Sequence, residues 1–280
     1  MALTLGISPC PNDTYIFAGL IEGRVPLPDG LEPFSVRFAD VEELNGLARR
    51  NCLDVTKLSV SAVADVLDEY VILNAGGALG RGCGPLLVAR DAAAPYDLRG
   101  TEIAIPGVLT TANLLLSLHG GFLGPRKELV FDAIMPALIR GEYAAGVIIH
   151  ESRFTYPDHG LSLVLDLGAW WEETTGAPIP LGVIVAKRSL GEKTIRSIDA
   201  LIRTSLENAI VDPEPARPFI RSHAQEMDEA VLARHITTFV NEFSLDLGEE
   251  GRFAVGSLVA RAADARGLTL PAKPMFASGD

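Results

Sequence analysis

The sequence predicts an α/β chain of two lobes, each a mixed sheet covered by helices. Three observations carry this expectation. Short β-rich runs alternate with stretches of helical apolar spacing through the first two thirds of the chain. Two similar apolar strands, residues 85–90 and 180–187, each ending in a basic residue, bracket the second alternating series. The last third reads as helix throughout. With 280 residues there is room for two domains at about 150 residues each.

In chain order, residues 3–7 are a strand, followed by a Pro/Asn/Asp turn and a helix over 14–23. The pattern repeats as a strand over 34–38 and a helix over 41–50. It repeats again as a strand over 55–58 and a helical stripe of Val60, Val63, Ala64 and Leu67. A strand over 71–73 leads to residues 75–84, where five glycines in nine positions predict a loop whose backbone something approaches. The second series has strands near 102–106, 129–131 and 146–149, with helices near 110–118 and 136–140, and ends near Trp171. If residues 85–90 and 180–187 cross between lobes, residues 1–90 and 186–280 form one discontinuous domain and 91–185 an inserted one. A cleft beside a two-strand hinge follows. Helices near 195–206, 213–223, 228–239 and 249–266 pack outside the first domain.

Charge and cysteine usage narrow the function. Twenty-four basic against thirty-six acidic residues give a net charge of −12, which repels nucleic acid and anionic membranes. A small anionic substrate then needs a local reversal of this field inside the cleft. Cys10, Cys52 and Cys83 form no CxxC pair, so neither a disulfide framework nor a structural zinc site is expected. No basic leader and no membrane-length apolar run occur, and a cytoplasmic location is expected.

The candidate chemistry gathers at strand ends, where open α/β sheets place ligands. The stretch from Ser8 through Pro9, Cys10, Pro11, Asn12 and Asp13 to Thr14 reads either as a turn with Asn12 or Asp13 capping the helix, or as a wall facing a ligand. Cys10 has no activating partner by spacing. Lys57 or Ser59 can point into the same cleft, and Ser59 also suits a helix N-cap. Thr110 and Thr111 either cap the next helix or cradle an anion across from Ser59. His150 ends a short buried strand, where it is either a catalytic imidazole or a structural one.

A zincin site is excluded, because Phe154 stands where HExxH needs histidine. His119, His159, His223 and His235 rank below His150. Adjacent Trp170 and Trp171 diverge on a helix, so at least one belongs to the core. Pro85 breaks GxGxxG and no GxxxxGK[ST] occurs, so nucleotide cofactors lack support.

Taken together, several motifs resemble one family, 1,4-dihydroxy-6-naphthoate synthase of the futalosine route to menaquinone. They are the Ser8 to Thr14 stretch, Asp54-Val55-Thr56-Lys57-Leu58-Ser59, Gly77-Ala78-Leu79-Gly80-Arg81-Gly82, the string from Ile148 through His150-Glu151-Ser152-Arg153-Phe154-Thr155 to Tyr156, and Gly168-Ala169-Trp170-Trp171-Glu172-Glu173. The resemblance implies a two-lobed fold like a type 2 periplasmic binding protein. It also implies a lyase without cofactor or metal that converts cyclic dehypoxanthinylfutalosine to 1,4-dihydroxy-6-naphthoate. Carried over by motif, His150 is the proton acceptor, and Lys57, Leu58, Ser59, Thr110 and Thr111 line the substrate site. The alternatives are a cytosolic small-molecule binding protein of the same fold, or the related chorismate dehydratase.

Overall fold

The computed structural model of the chain describes residues 2–90, 98–224 and 228–278. The chain starts with β1 (Thr4–Ile7), α1 (Pro11–Ile21), β2 (Ser35–Phe38), α2 (Val41–Arg49), β3 (Val55–Ser59), the single turn α3 (Val60–Val63), β4 (Tyr70–Ile72) and β5 (Ala78–Gly80). It continues with β6 (Leu86–Ala89), β7 (Ile103–Ile105), α4 (Thr111–His119), β8 (Arg126–Glu128), α5 (Phe131–Ile139), β9 (Ala145–Ile148), α6 (Ser152–Thr155), β10 (Ser162–Asp166) and α7 (Leu167–Thr175). The nine-residue β11 (Ile179–Lys187) follows. The rest is helical: α8 (Glu192–Val211), α9 (Arg217–His223), α10 (Glu229–Phe239), α11 (Glu242–Leu245) and α12 (Gly248–Arg266).

Two mixed sheets result. One has the order β2-β1-β3-β11-β4, with β5 also pairing β11; the other runs β10-β6-β9-β7-β8. In the first sheet β1, β2 and β3 are parallel and β11 is antiparallel to its neighbours. In the second, β7, β8 and β9 are parallel and β6 is antiparallel to β9. The carboxyl ends of β1, β3 and β9, with the loop after β7, therefore converge on one region.

The chain passes between the sheets twice, over residues 81–85 and 167–178. These passages lie against each other: Leu167 N donates to Pro85 O at 3.0 Å and Gly82 N to Glu172 Oε1 at 2.7 Å. A Cβ on Gly84 would sit 2.2 Å from Gly168 Cα, so the backbones meet where only glycine fits. Glycine here sets how closely the two passages approach.

Four local expectations change. Helix α1 begins at Pro11, not Thr14; Cys10 is its N-cap without a side-chain bond, and Asp13 turns back to Ser8 rather than capping. Pro11 suits this start, since its missing N–H would be unpaired at a first helical position. The strand expected over 129–131 lies at Arg126–Glu128, and Phe131 opens α5. The glycine-rich loop contains β5, because Gly77 and Gly80 press against neighbours: a Cβ on Gly77 would come within 2.9 Å of Leu247. The helical stripe after β3 closes after one turn at Val63.

The core extends under both sheets. Trp171, Leu58, Leu87 and Val147 belong to one apolar cluster spanning both sheets, and Phe17, Ile16, Ile184 and Ile202 to another beneath the first sheet. Helix α1 is buried along nearly its whole length because α8, α9 and α10 pack on it. Among the described residues no helix is long and apolar enough to cross a membrane.

Candidate active site

The converging strand ends enclose a cavity with about 670 Å³ of empty space, counting its open mouth. Ser8, Asn12, Asp13, Lys57 and Ser59 line it from the first sheet's side, and Gly84, Thr110, Thr111, Ala112, Ile149 and His150 from the second.

Alternation along β3 decides which of its residues reach the cavity. Lys57 and Ser59 share the cavity face, while Leu58 points into the apolar core and does not line the cavity. Lys57 Nζ donates to Asp13 Oδ1 at 2.8 Å and to Gly76 O at 3.3 Å. Asp13 also accepts from Asn12 Nδ2 (2.9 Å) and from Ser8 N and Oγ. A buried charge needs such pairing, so the Lys57 ammonium is largely spent on Asp13. It does not supply the cavity with a free positive charge.

The hydroxyls differ in what remains available. Thr110 Oγ1 donates to Gly107 O at 2.8 Å and caps Asn113 N, and Thr111 Oγ1 donates to Leu181 O at 2.9 Å and accepts from Ser61 N. Each threonine proton is thus committed. Of the two readings, the cap is observed: Thr110 is the N-cap, and Thr111 and Ala112, the first residues of α4, line the cavity. Ser59 Oγ accepts from Asn45 Nδ2 at 3.1 Å, and its own proton has no acceptor among the described residues. Ser59 sits at the N-cap position of α3 without making a side-chain cap bond.

His150 occupies the turn between β9 and α6 with φ of +56°, a left-handed conformation uncommon outside glycine. Such a backbone is retained where the surroundings fix it, and here it presents the ring to the cavity. The ring meets Phe131 edge-on at 4.8 Å, and its Nε2 lies 3.9 Å from Cys10 Sγ. Burial holds the imidazole down at about 4, against the pull of Glu151. It is therefore neutral at pH 7. Burial pushes the Cys10 thiol well up, so Cys10 is not poised as a thiolate nucleophile.

One site component was invisible in the sequence. His235, on α10 and eighty-five positions from His150, is fully buried with its ring parallel to that of His150 at 6.0 Å. Nothing in local spacing could signal this, since only the packing of α10 on α1 brings them together. Arg81 turns outward to Glu250 and Gly176 O, away from the cavity. Trp171 is core and donates to Pro178 O, while Trp170 packs edge-on to His119. Among the described residues no group of three His, Cys, Asp or Glu side chains is arranged to hold a metal ion.

Comparison with known proteins adds the following. A family model described as menaquinone biosynthesis matches residues 3–264. The chain is 53% identical over 277 residues to a Thermus thermophilus protein, covering 98% of this chain and 99% of that one. It is 48% identical over 271 residues to a Streptomyces coelicolor protein, covering 95% and 94% respectively. Both are named 1,4-dihydroxy-6-naphthoate synthase. A solved Archaeoglobus fulgidus protein superposes with a TM-score of 0.88 at 32% identity over 96% of this chain and 98% of its own. The periplasmic aliphatic sulphonate binding protein of Escherichia coli, at 12% identity, matches with a TM-score of 0.63 over 100% and 94% of the two chains. That last likeness bears on the fold, which is of the periplasmic-binding-protein type with two α/β sheets.

Proposed function

The chain belongs to the menaquinone biosynthesis family, and is an enzyme similar over nearly its whole length to 1,4-dihydroxy-6-naphthoate synthases; on that premise we propose that it is a lyase converting cyclic dehypoxanthinylfutalosine to 1,4-dihydroxy-6-naphthoate, with His150 as general base. The observation that carries this reading is a neutral imidazole on the wall of a cavity that the Ser59 hydroxyl and the start of α4 also line. The proposed setting is cytoplasmic, with no cofactor required.

In the proposed step, His150 takes a proton from a hydroxyl of the sugar-derived ring. The O–H electron pair becomes the carbonyl of a small fragment that leaves, the adjacent carbon–carbon bond breaks, and its electrons enter the ring that turns aromatic, where a ring carbonyl becomes a hydroxyl by taking the proton back from His150. Aromatisation supplies driving force, which leaves placement as the protein's main task. The substrate carboxylate is held between the Ser59 hydroxyl and the Thr111 and Ala112 backbone N–H groups at the start of α4. This arrangement provides the local field reversal that a chain of net charge −12 needs for an anion. Lys57 shapes the wall through Asp13, Thr110 and Thr111 hold the α4 terminus in place, and Leu58 supports β3 from the core side.

A carboxylate brought near the imidazole also raises its proton affinity, so the base strengthens as substrate arrives. The two-lobed division proposed from the sequence, residues 1–90 with 186–280 against 91–185, keeps the cavity between two lobes; the chain changes sheet at 81–85 and 167–178 rather than along the strands 85–90 and 180–187, so β6 belongs with the second sheet and all of β11 with the first. The first boundary of that division borders residues outside those described. Incubating the purified protein with the cyclic substrate and following naphthoate by mass spectrometry tests the function. Naphthoate formation with chorismate left intact is the expected result; tight binding without product refutes the lyase.

A further inference from the structure

The hydrogen bonds around His235 leave one proton unaccounted for. Asn12 Nδ2 donates to the Asp13 carboxylate, so Asn12 turns its Oδ1 toward His235 Nε2 at 3.0 Å. That oxygen can only accept, which places a proton on Nε2. In a neutral ring Nδ1 is then a bare lone pair. It faces Glu151 Oε2 at 3.5 Å, and among the described residues neither atom has any other hydrogen-bond partner. Two buried acceptors facing each other without a proton is a costly arrangement.

We propose that His235 is an imidazolium paired with the Glu151 carboxylate, a buried ion pair that positions His150 and keeps it neutral. One additional proton on Nδ1 satisfies both orphaned atoms. It also completes a continuous chain from Lys57 through Asp13, Asn12 and His235 to Glu151, in which charges alternate and every link has a donor. The cation lies under the face of His150, which opposes a second positive charge there. The charged groups acting on His150 are Glu151 and Asp13, which favour its protonation, and His235 and Lys57, which oppose it. Cys10 faces it as a protonated thiol. His235 does not line the cavity and is a positioning residue rather than a catalytic one.

The consequence for catalysis rests on the reading of His150 as base; the ion pair itself does not. Nitrogen-15 NMR of the histidine-labelled protein at neutral pH tests the pair without any turnover. Protons on both ring nitrogens of His235, reduced to Nε2 alone in Glu151→Gln, are expected. A bare Nδ1 in the parent protein overturns the proposal, including the case in which the proton sits on the carboxyl. His235→Gln keeps a donor toward Asn12 but removes the cation while Glu151 stays charged. The acid limb of kcat/KM then moves to higher pH by about one unit or more. An unmoved limb in a folded His235→Gln protein overturns the positioning role. If the imidazolium is found but His150 proves dispensable, the lyase mechanism fails and the ion pair stands.

Discussion

Removing the Ser59 hydroxyl isolates the proposed anion site, because that group carries little else. In Ser59→Ala, Asn45 Nδ2 keeps its bond to Glu42 at 3.0 Å, and Asn45 Oδ1 keeps the Ser59 backbone N–H at 2.9 Å. The fold around β3 should therefore survive. What is lost is a hydrogen bond to a carboxylate, worth about 1.5–3 kcal/mol when one partner is charged. That corresponds to a Kd for the naphthoate product weakened by about 10- to 150-fold. Titration calorimetry with the product measures it, alongside thermal unfolding to confirm the fold.

Thr111→Val is the contrasting variant. It severs the links to Leu181 O and Ser61 N, which tie α4 to the first sheet's side of the cavity. It leaves a buried carbonyl without its donor, so stability falls by about 1–3 kcal/mol. Unchanged product affinity in a folded Ser59→Ala protein would place the carboxylate elsewhere.

Two further outcomes are expected. The folded value of His150 lies below its unfolded value of about 6.5, so the folded state binds fewer protons than the unfolded chain between them. Its contribution to stability is full above pH 6.5 and is lost as pH falls toward 4, and Tm against pH should be shallower in that window for a His150→Gln variant; matching slopes would count against the burial. For the same reason kcat/KM should hold level from neutrality until the pH nears 4, and an acid limb at the ordinary histidine position would contradict a desolvated ring. Gly84→Ala forces a Cβ into the Gly168 backbone, so thermal unfolding should shift down by several degrees, consistent with an overpacking cost of about 1–3 kcal/mol; an unshifted Tm would show that the two passages are not in contact.

The legible parts of this protein were those governed by local rules. Period-2 and period-3.6 patterns located most strands and helices, and strand ends marked Ser8, Lys57, Ser59 and His150 before any coordinates. Where several weak local preferences competed, the sequence misled. Phe131 has strand propensity, yet it buries as the first residue of α5. The glycines of 76–80 suggested only a loop, because their close packing, Gly76 against Ile184 and Gly77 against Leu247 and Phe243, is a tertiary property. Leu58 came from a motif and not from alternation, which already places it opposite Lys57 and Ser59. His235 ranked below His150, and Asn45 and Glu42 went unmarked, since their places depend on which helix faces which strand.

The role of the His150 imidazole is tested by single-turnover naphthoate formation in His150→Gln, with product affinity determined in parallel. A retained affinity with turnover lost by a factor of about 100 or more is the predicted result. Turnover close to that of the parent protein would contradict the assignment of His150 as the base.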